Sequence, residues 1–330
     1  MEAMEGEKMV HIIDLSASDP AQWVALFHLL RDRKEGPPHL RITGINEQKE
    51  LLDHTALLLS EEAERLDIPF QFNPVVAKLD NLDTERLRVK TGEALAIASV
   101  LQLHCLLASD DDALPEDPVL SSRNSSSIAQ FRRIVQTSQG TLGELLERDL
   151  SMNGYSLSPD SASSSPFAPT PSAKMERFLS WFCGLSPKIM VVTEQESNHN
   201  GSSMNERFME ALNFYAALFD CLESTLPRPS ADRMKVEKML WGEEIRNIIA
   251  CEGAERRERH EKLEKWVQRM DMAGFGRVPL SYYAMLQARR LLQSFNCDGY
   301  KIKEENGFFH LCWQDRSLFS VSAWRCRRFD

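Results

Sequence analysis

Short β-branched apolar runs alternate along the chain with stretches whose apolar positions recur every three to four residues, a pattern that predicts strands and helices in turn. Met9-Val10-His11-Ile12-Ile13-Asp14-Leu15 is a run of buried-strand type that ends in an acid and breaks into Ser16-Ala17-Ser18-Asp19-Pro20. A helix is expected next over 21–30, with Pro20 near its first turn, where a missing N–H costs nothing, and Arg31, Arg33 and Lys34 at the end that favours cations. A strand over 40–45 leads into a helix over 49–66, where Leu51, Leu52, Ala56, Leu59, Ala63 and Leu66 keep helical spacing. Residues 70–76 predict a third strand, 82–87 a short helix, and 93–101 a near-continuous apolar run of fully buried type.

The later part follows the same rhythm and then changes it. Residues 188–194 read as a buried strand, and 205–224 as a helix with Phe208, Leu212, Tyr215, Phe219 and Leu222 on one stripe. Residues 232–270 are charge-laced helical segments whose basic and acidic residues nearly cancel, as on a solvated face. After a helix over 281–293, two strand-like runs flank Asn306-Gly307, a strong hairpin signal, and 318–324 adds one more strand. This order predicts a Rossmann-like, methyltransferase-type α/β fold: a mostly parallel sheet with antiparallel C-terminal edge strands.

Composition narrows the class. The chain has 330 residues with a formal net charge of −10, which opposes a stand-alone phosphate-tracking surface. No apolar stretch is long enough to span a membrane, and the acidic start does not read as a signal peptide. Seven scattered cysteines, none in CxxC spacing, are expected to be free thiols, and no Cys/His cluster shows metal-ligand spacing. Residues 109–127 are polar and acidic, while 151–174 are so rich in Ser, Pro and Ala that a disordered insertion is expected.

Candidate chemistry gathers first at the strand ends. In methyltransferase-type sheets the loop after the first acid needs glycines so that backbone can approach a cofactor. Here Asp14 is in place, but Ser16, Ser18 and Pro20 hold the glycine positions, and no cofactor is expected. Asp14, Ser16, Ser18 and Glu47 remain as a residual cleft, with helix capping as the plainer role for Glu47. His199 lies just past a strand end, where open sheets place ligands, although a turn histidine is commoner there. Leu26 to Leu30 spell LxxLL, yet these leucines are expected to face the sheet. Arg325, Arg327 and Arg328 make a small basic end.

Several ordered motifs together resemble the plant GRAS family of transcriptional regulators. Val10, His11, Ile12, Ile13 and Asp14 spell its VHIID signature. Pro187, Phe214-Tyr215 and Arg257-Glu258 resemble the PFYRE elements. Trp266 and Gly274 give W-x7-G, Trp313 and Trp324 give W-x10-W, and Ser322-Ala323-Trp324 is the SAW signature. The resemblance implies a VHIID core with a second leucine-rich region over 8–108, a PFYRE region over 175–260 and a SAW region over 261–330. It also implies a truncated domain, because the family's N-terminal leucine-rich region would precede VHIID, leaving an incomplete helical cap.

Functionally, the resemblance implies a non-enzymatic nuclear regulator, recruited to promoters by partners and acting in gibberellin signalling and plant development. DELLA-type GRAS proteins and indeterminate-domain zinc-finger factors are the implied partners, with DNA contacted indirectly and neither membrane nor metal involved. The expected partner site is a groove between the helices of 205–270 and the sheet edge at 313–324, with Arg256, Arg257 and Arg259 facing solvent and Trp313 at its rim. Two other readings stay open: a methyltransferase-like enzyme or small-molecule binder using the residual cleft, and direct DNA binding through the basic end and a groove in the helical cap.

Overall fold

Val10 and Ile12 point to one face of the first strand, while Ile13 and then Leu15 belong to the core on the other, as a period of two requires. The computed structural model describes residues 2–113, 173–295 and 297–327. The strands are β1 (Met9–Asp14), β2 (His39–Asn46), β3 (Phe70–Val76), β4 (Ala94–Val100), β5 (Ile189–Gln195), β6 (Phe275–Arg277), β7 (Tyr300–Glu305), β8 (Phe308–Trp313) and β9 (Arg316–Cys326). They form one sheet in the order β3-β2-β1-β4-β5-β9-β8-β7, with β6 also paired to β9. Neighbours from β3 to β5 run parallel, and β6 to β9 pair antiparallel. This is the mixed α/β sheet the alternation predicts. The β7–β8 turn shows why Asn-Gly marks a hairpin: Asn306 and Gly307 both take positive φ, 53° and 81°.

The helices are α1 (Ala21–Arg31), α2 (Lys49–Arg65), α3 (Ala173–Gly184), α4 (Met204–Thr225), α5 (Ala231–Lys235), α6 (Gly242–Ala250), α7 (Leu263–Met272) and α8 (Tyr282–Ser294). A π-helical stretch, Val236–Trp241, joins α5 to α6. On one face of the sheet, α1 and α2 bury Trp23, Phe27, Leu30, Leu59 and Ala63 against β1 and β2. On the other, α3 and α7 pack Phe182, Trp266 and Met270 against Ile13, Met190 and Trp324. A third cluster sets Phe214, Tyr215 and Leu218 of α4 against Ile248, Trp313 and Leu318.

Two expectations need correction. Cys183 and Cys326 are not free: they are joined as a disulfide, with Cα atoms 5.5 Å apart, a spacing that suits one, whereas Cys105, Cys221, Cys251, Cys297 and Cys312 are free. Tertiary proximity across 143 residues is invisible in the spacing. The charged stretch is also not a uniform solvated face, because Arg233, Arg256, Arg259, Glu261 and Arg269 are buried. The insertion expected to be disordered lies outside the described residues over 151–172, and Ala173 and Lys174 open α3.

The histidine of the VHIID segment is structural. His11 Nδ1 accepts from Arg41 at 3.1 Å and Nε2 donates to Thr43 at 2.8 Å, so both nitrogens are used by a neutral ring. Arg41 is in turn paired with Glu93. Burial, followed by the Arg41 guanidinium, pushes His11 down to about 4. The unfolded chain takes up this proton near 6.5, so the stabilisation is complete above that pH and falls away as pH drops towards 4. Denaturation curves at pH 7 and pH 4.5 should differ by up to roughly 3 kcal/mol more for the native chain than for His11→Gln. An identical loss in both would remove His11 as the cause.

Candidate functional site

The C-terminal ends of the parallel strands, where open α/β sheets take ligands, are filled by the chain itself. Asp14 is almost fully buried. Its Oδ1 accepts from Ser16 N and Ser16 Oγ, both at 3.0 Å, and its Oδ2 accepts from Trp23 Nε1 at 2.7 Å. Burial raises the Asp14 carboxyl above its ordinary value, and the hydrogen bonds from Ser16 and Trp23 work against that rise. Ala17 is buried too, close enough to Gly44 that a Cβ there would lie 2.9 Å from the Ala17 methyl and 2.6 Å from the Phe72 ring. The loop therefore packs down on the strand ends, and Asp14 and Ser16 serve its fold. Ser18 is exposed. Glu47 does not cap α2 but pairs with Lys78 at 3.4 Å on the surface. The four cleft candidates thus do not form one set of free ligand groups.

The residues expected to bind a partner are also built into the interior. Arg256 and Arg259 are only 4% and 5% exposed. Arg256 Nη1 donates to the His199 carbonyl at 2.9 Å. Arg259 donates to the Arg256 carbonyl at 2.9 Å, the Gly253 carbonyl at 2.9 Å and Asn200 Oδ1 at 3.2 Å. These bonds fasten the extended segment 256–262 to the loop after β5. Arg257 is half-buried. Trp313 is a core residue, with Nε1 donating to Asp220 Oδ2 at 2.6 Å and its ring edge-on to Tyr300. The groove expected between 205–270 and the sheet edge is filled by the α4–α6 cluster. Charge pattern alone could not show this, because a buried guanidinium satisfied by carbonyls has the same sequence signature as a solvated one.

Three histidines and two glutamates meet beside that segment. Glu194, at the end of β5, accepts backbone N–H groups of Gln102 and Leu103 on Oε1 at 3.1 and 2.8 Å, and holds His104 Nδ1 at 3.0 Å through Oε2. His104 Nε2 lies 3.2 Å from Glu258, whose Oε2 is 3.3 Å from His260 Nε2. His260 Nδ1 meets His199 Nδ1 at 3.0 Å. Burial opposes charge on His104, yet Cys105 and Glu194 outweigh it and hold the ring well above its ordinary value. Burial, then His104 and His199, push His260 well below. Sequence spacing gave no sign of this cluster, since its members come from three distant segments.

The open surface lies on the other face of the sheet. Between α1 and α8 runs an apolar groove of about 970 Å³, lined by Trp23, Leu26, Leu29, Ile189, Val191 and Tyr283 among others. The LxxLL leucines are split: Leu30 is buried, whereas Leu29 is 43% exposed at the groove. The expectation that all of them face the sheet is corrected, because the helix turns Leu29 away from β1. Helix α8 buries none of its residues and exposes Tyr282, Tyr283 and Leu291.

A Rossmann-like sheet of methyltransferase type, with its strand-end crevice occupied by its own loop and an apolar face left open, is the class this architecture defines. The chain belongs to the GRAS domain family, whose profile matches residues 1–325, a family of plant transcription regulators. It is 64% identical over 329 residues to Scarecrow-like protein 3 of Arabidopsis thaliana, covering 99% of this chain and 68% of that protein. It is 54% identical to the GRAS family protein TF80 of Medicago truncatula, covering 99% of this chain and 72% of that one. Among solved structures it is similar to SCL7 of Oryza sativa, with a TM-score of 0.75 and 28% identity over 98% of this chain and 75% of that chain.

Proposed function

We propose that this chain is a nuclear co-regulator of transcription that works by protein–protein contact, reaching promoters through DNA-binding partners in gibberellin signalling and plant development. The observation that carries this reading is the open apolar groove between α1 and α8. An exposed apolar surface of this kind marks a contact site, and its shape suits an amphipathic helix. The groove is lined by exposed Arg325 and by Lys188, and α8 carries no acidic residue. The occupant is therefore an apolar helix with acidic flanks from a partner protein. By resemblance, indeterminate-domain zinc-finger factors and DELLA-type GRAS proteins are the partners to test. The committed hydrogen bonds of Asp14 favour this reading over a cofactor-using enzyme.

Tyr283→Glu and Gln287→Glu change exposed residues that line the groove, so neither should shift the melting temperature. Each is expected to weaken capture of a purified zinc-finger partner at least tenfold. Unchanged capture by both variants would count against the groove. Binding of a promoter fragment by the chain alone, with a steep salt dependence, would instead favour direct DNA recognition.

A further inference from the structure

Glu258 Oε2 stands 3.2 Å from His104 Nε2 and 3.3 Å from His260 Nε2, and the three atoms lie within 4.8 Å of one another. Donor atoms at 2.0 to 2.1 Å from a tetrahedral zinc ion stand about 3.3 Å apart, so two edges of this triangle already have the length that a shared ion imposes. His260 Nε2 is buried and makes no hydrogen bond. Its distance from the carboxylate is thus short without a donor aligned to justify it. Two ligands of one cation sit in just this relation.

The groups behind these donors are arranged as metal ligands need. Glu194 accepts the Nδ1 proton of His104, which turns the Nε2 lone pair towards Glu258, and two backbone N–H groups fix that carboxylate in turn. His260 Nδ1 is engaged by His199 Nδ1, and the His199 backbone N–H donates to the His260 carbonyl at 2.9 Å, which sets the ring's orientation. Cys105 Sγ lies 3.4 Å from His104 Nε2 but outside this group of mutually close donors, so the chain offers three ligand atoms and leaves the fourth position open. His104 and His260 are nearly inaccessible, whereas the Glu258 side chain is 23% exposed and leaves an entry from that side.

We propose that His104, Glu258 and His260 form a zinc-type divalent-metal site that ties the 256–262 segment to the ends of β4 and β5. Two imidazole nitrogens and one carboxylate oxygen are a donor set that zinc accepts, with solvent taking the fourth tetrahedral position. On binding, any proton carried by His104 Nε2 passes to solvent, and no covalent bond within the chain is made or broken.

The test uses the full chain stripped of metal by a chelator and titrated with Co(II) as the zinc surrogate, then with Zn(II) in competition. The expected result is one equivalent bound, with the visible bands of tetrahedral cobalt, abolished by zinc. Glu258→Gln should weaken binding by more than roughly 10-fold, whereas Cys105→Ser should leave the bands in place. Because Glu258 is partly exposed and Cys105 is half-buried, both variants can be checked for an unchanged melting temperature in metal-free buffer. Absence of tetrahedral bands at saturating cobalt, or bands that persist unaltered in Glu258→Gln, would overturn the assignment and leave the cluster as an imidazolium–carboxylate network.

Discussion

Trp324→Ala is expected to cost roughly 3 to 5 kcal/mol of folding free energy, the range for deleting a buried aromatic ring. Trp324 has no exposed surface and belongs to the core cluster that joins β5, α3 and α7. Its register partners are Met190 on β5 and Arg277 on β6, so its backbone sits where β9 bridges two strands. Its Nε1 donates to Ser322 Oγ at 2.9 Å, and Phe308 packs against the ring. The cavity left by alanine would lie where β9 meets β5 and β6, beside the Phe308 ring. A loss of this size is a large part of the stability of a typical domain. Any failure of the variant to bind a partner should therefore be accompanied by a lower denaturation midpoint. Trp324→Phe keeps most of the ring's volume and should recover much of the loss. An unchanged midpoint for Trp324→Ala would show that the ring is not part of the core.

Arg259→Glu should be at least as damaging, for an electrostatic reason. The guanidinium is surrounded by the carbonyls of Gly253 and Arg256 and by Asn200 Oδ1. A carboxylate there would face acceptors with no donor, in a site closed to water. Leaving these acceptors without their donor costs roughly 1 to 3 kcal/mol each, and a negative charge among them adds repulsion. Thermal melts should show a destabilised or unfolded chain, whereas Arg257→Glu, at a half-buried position, should be milder. Equal, small effects for the two would mean that Arg259 is solvated after all. Reversing Arg256 or Arg259 consequently reports on folding and cannot serve as a clean probe of partner binding, which is why the groove variants on α8 are the sharper experiment.

The two proposals occupy different parts of the molecule and fail independently. The metal site lies beyond the ends of β4 and β5, among buried polar groups. The groove lies on the face covered at its margins by α1 and α8. A chain that binds cobalt yet ignores zinc-finger partners would keep the first and lose the second.

The order and type of most elements were legible in the sequence because local rules govern them. A period of two over 9–14, a period near 3.6 over 49–65, and an Asn-Gly turn each describe residues that are neighbours in the chain. The family was legible for a related reason: VHIID and SAW are short, and their order is preserved. The tertiary structure decided what long-range proximity alone decides. Arg256 and Arg259 read as solvent-facing from their charge, but the loop at 199–201 brings them carbonyl and amide oxygens, and these offset the desolvation of buried guanidinium groups. Cys183 and Cys326 show no motif spacing, and pair only because β9 ends beside α3. His104, Glu258 and His260 likewise come from segments that only the sheet brings together. A sequence records the period of burial along a strand or helix, but which polar groups meet inside is set by the crossing of segments that it does not place.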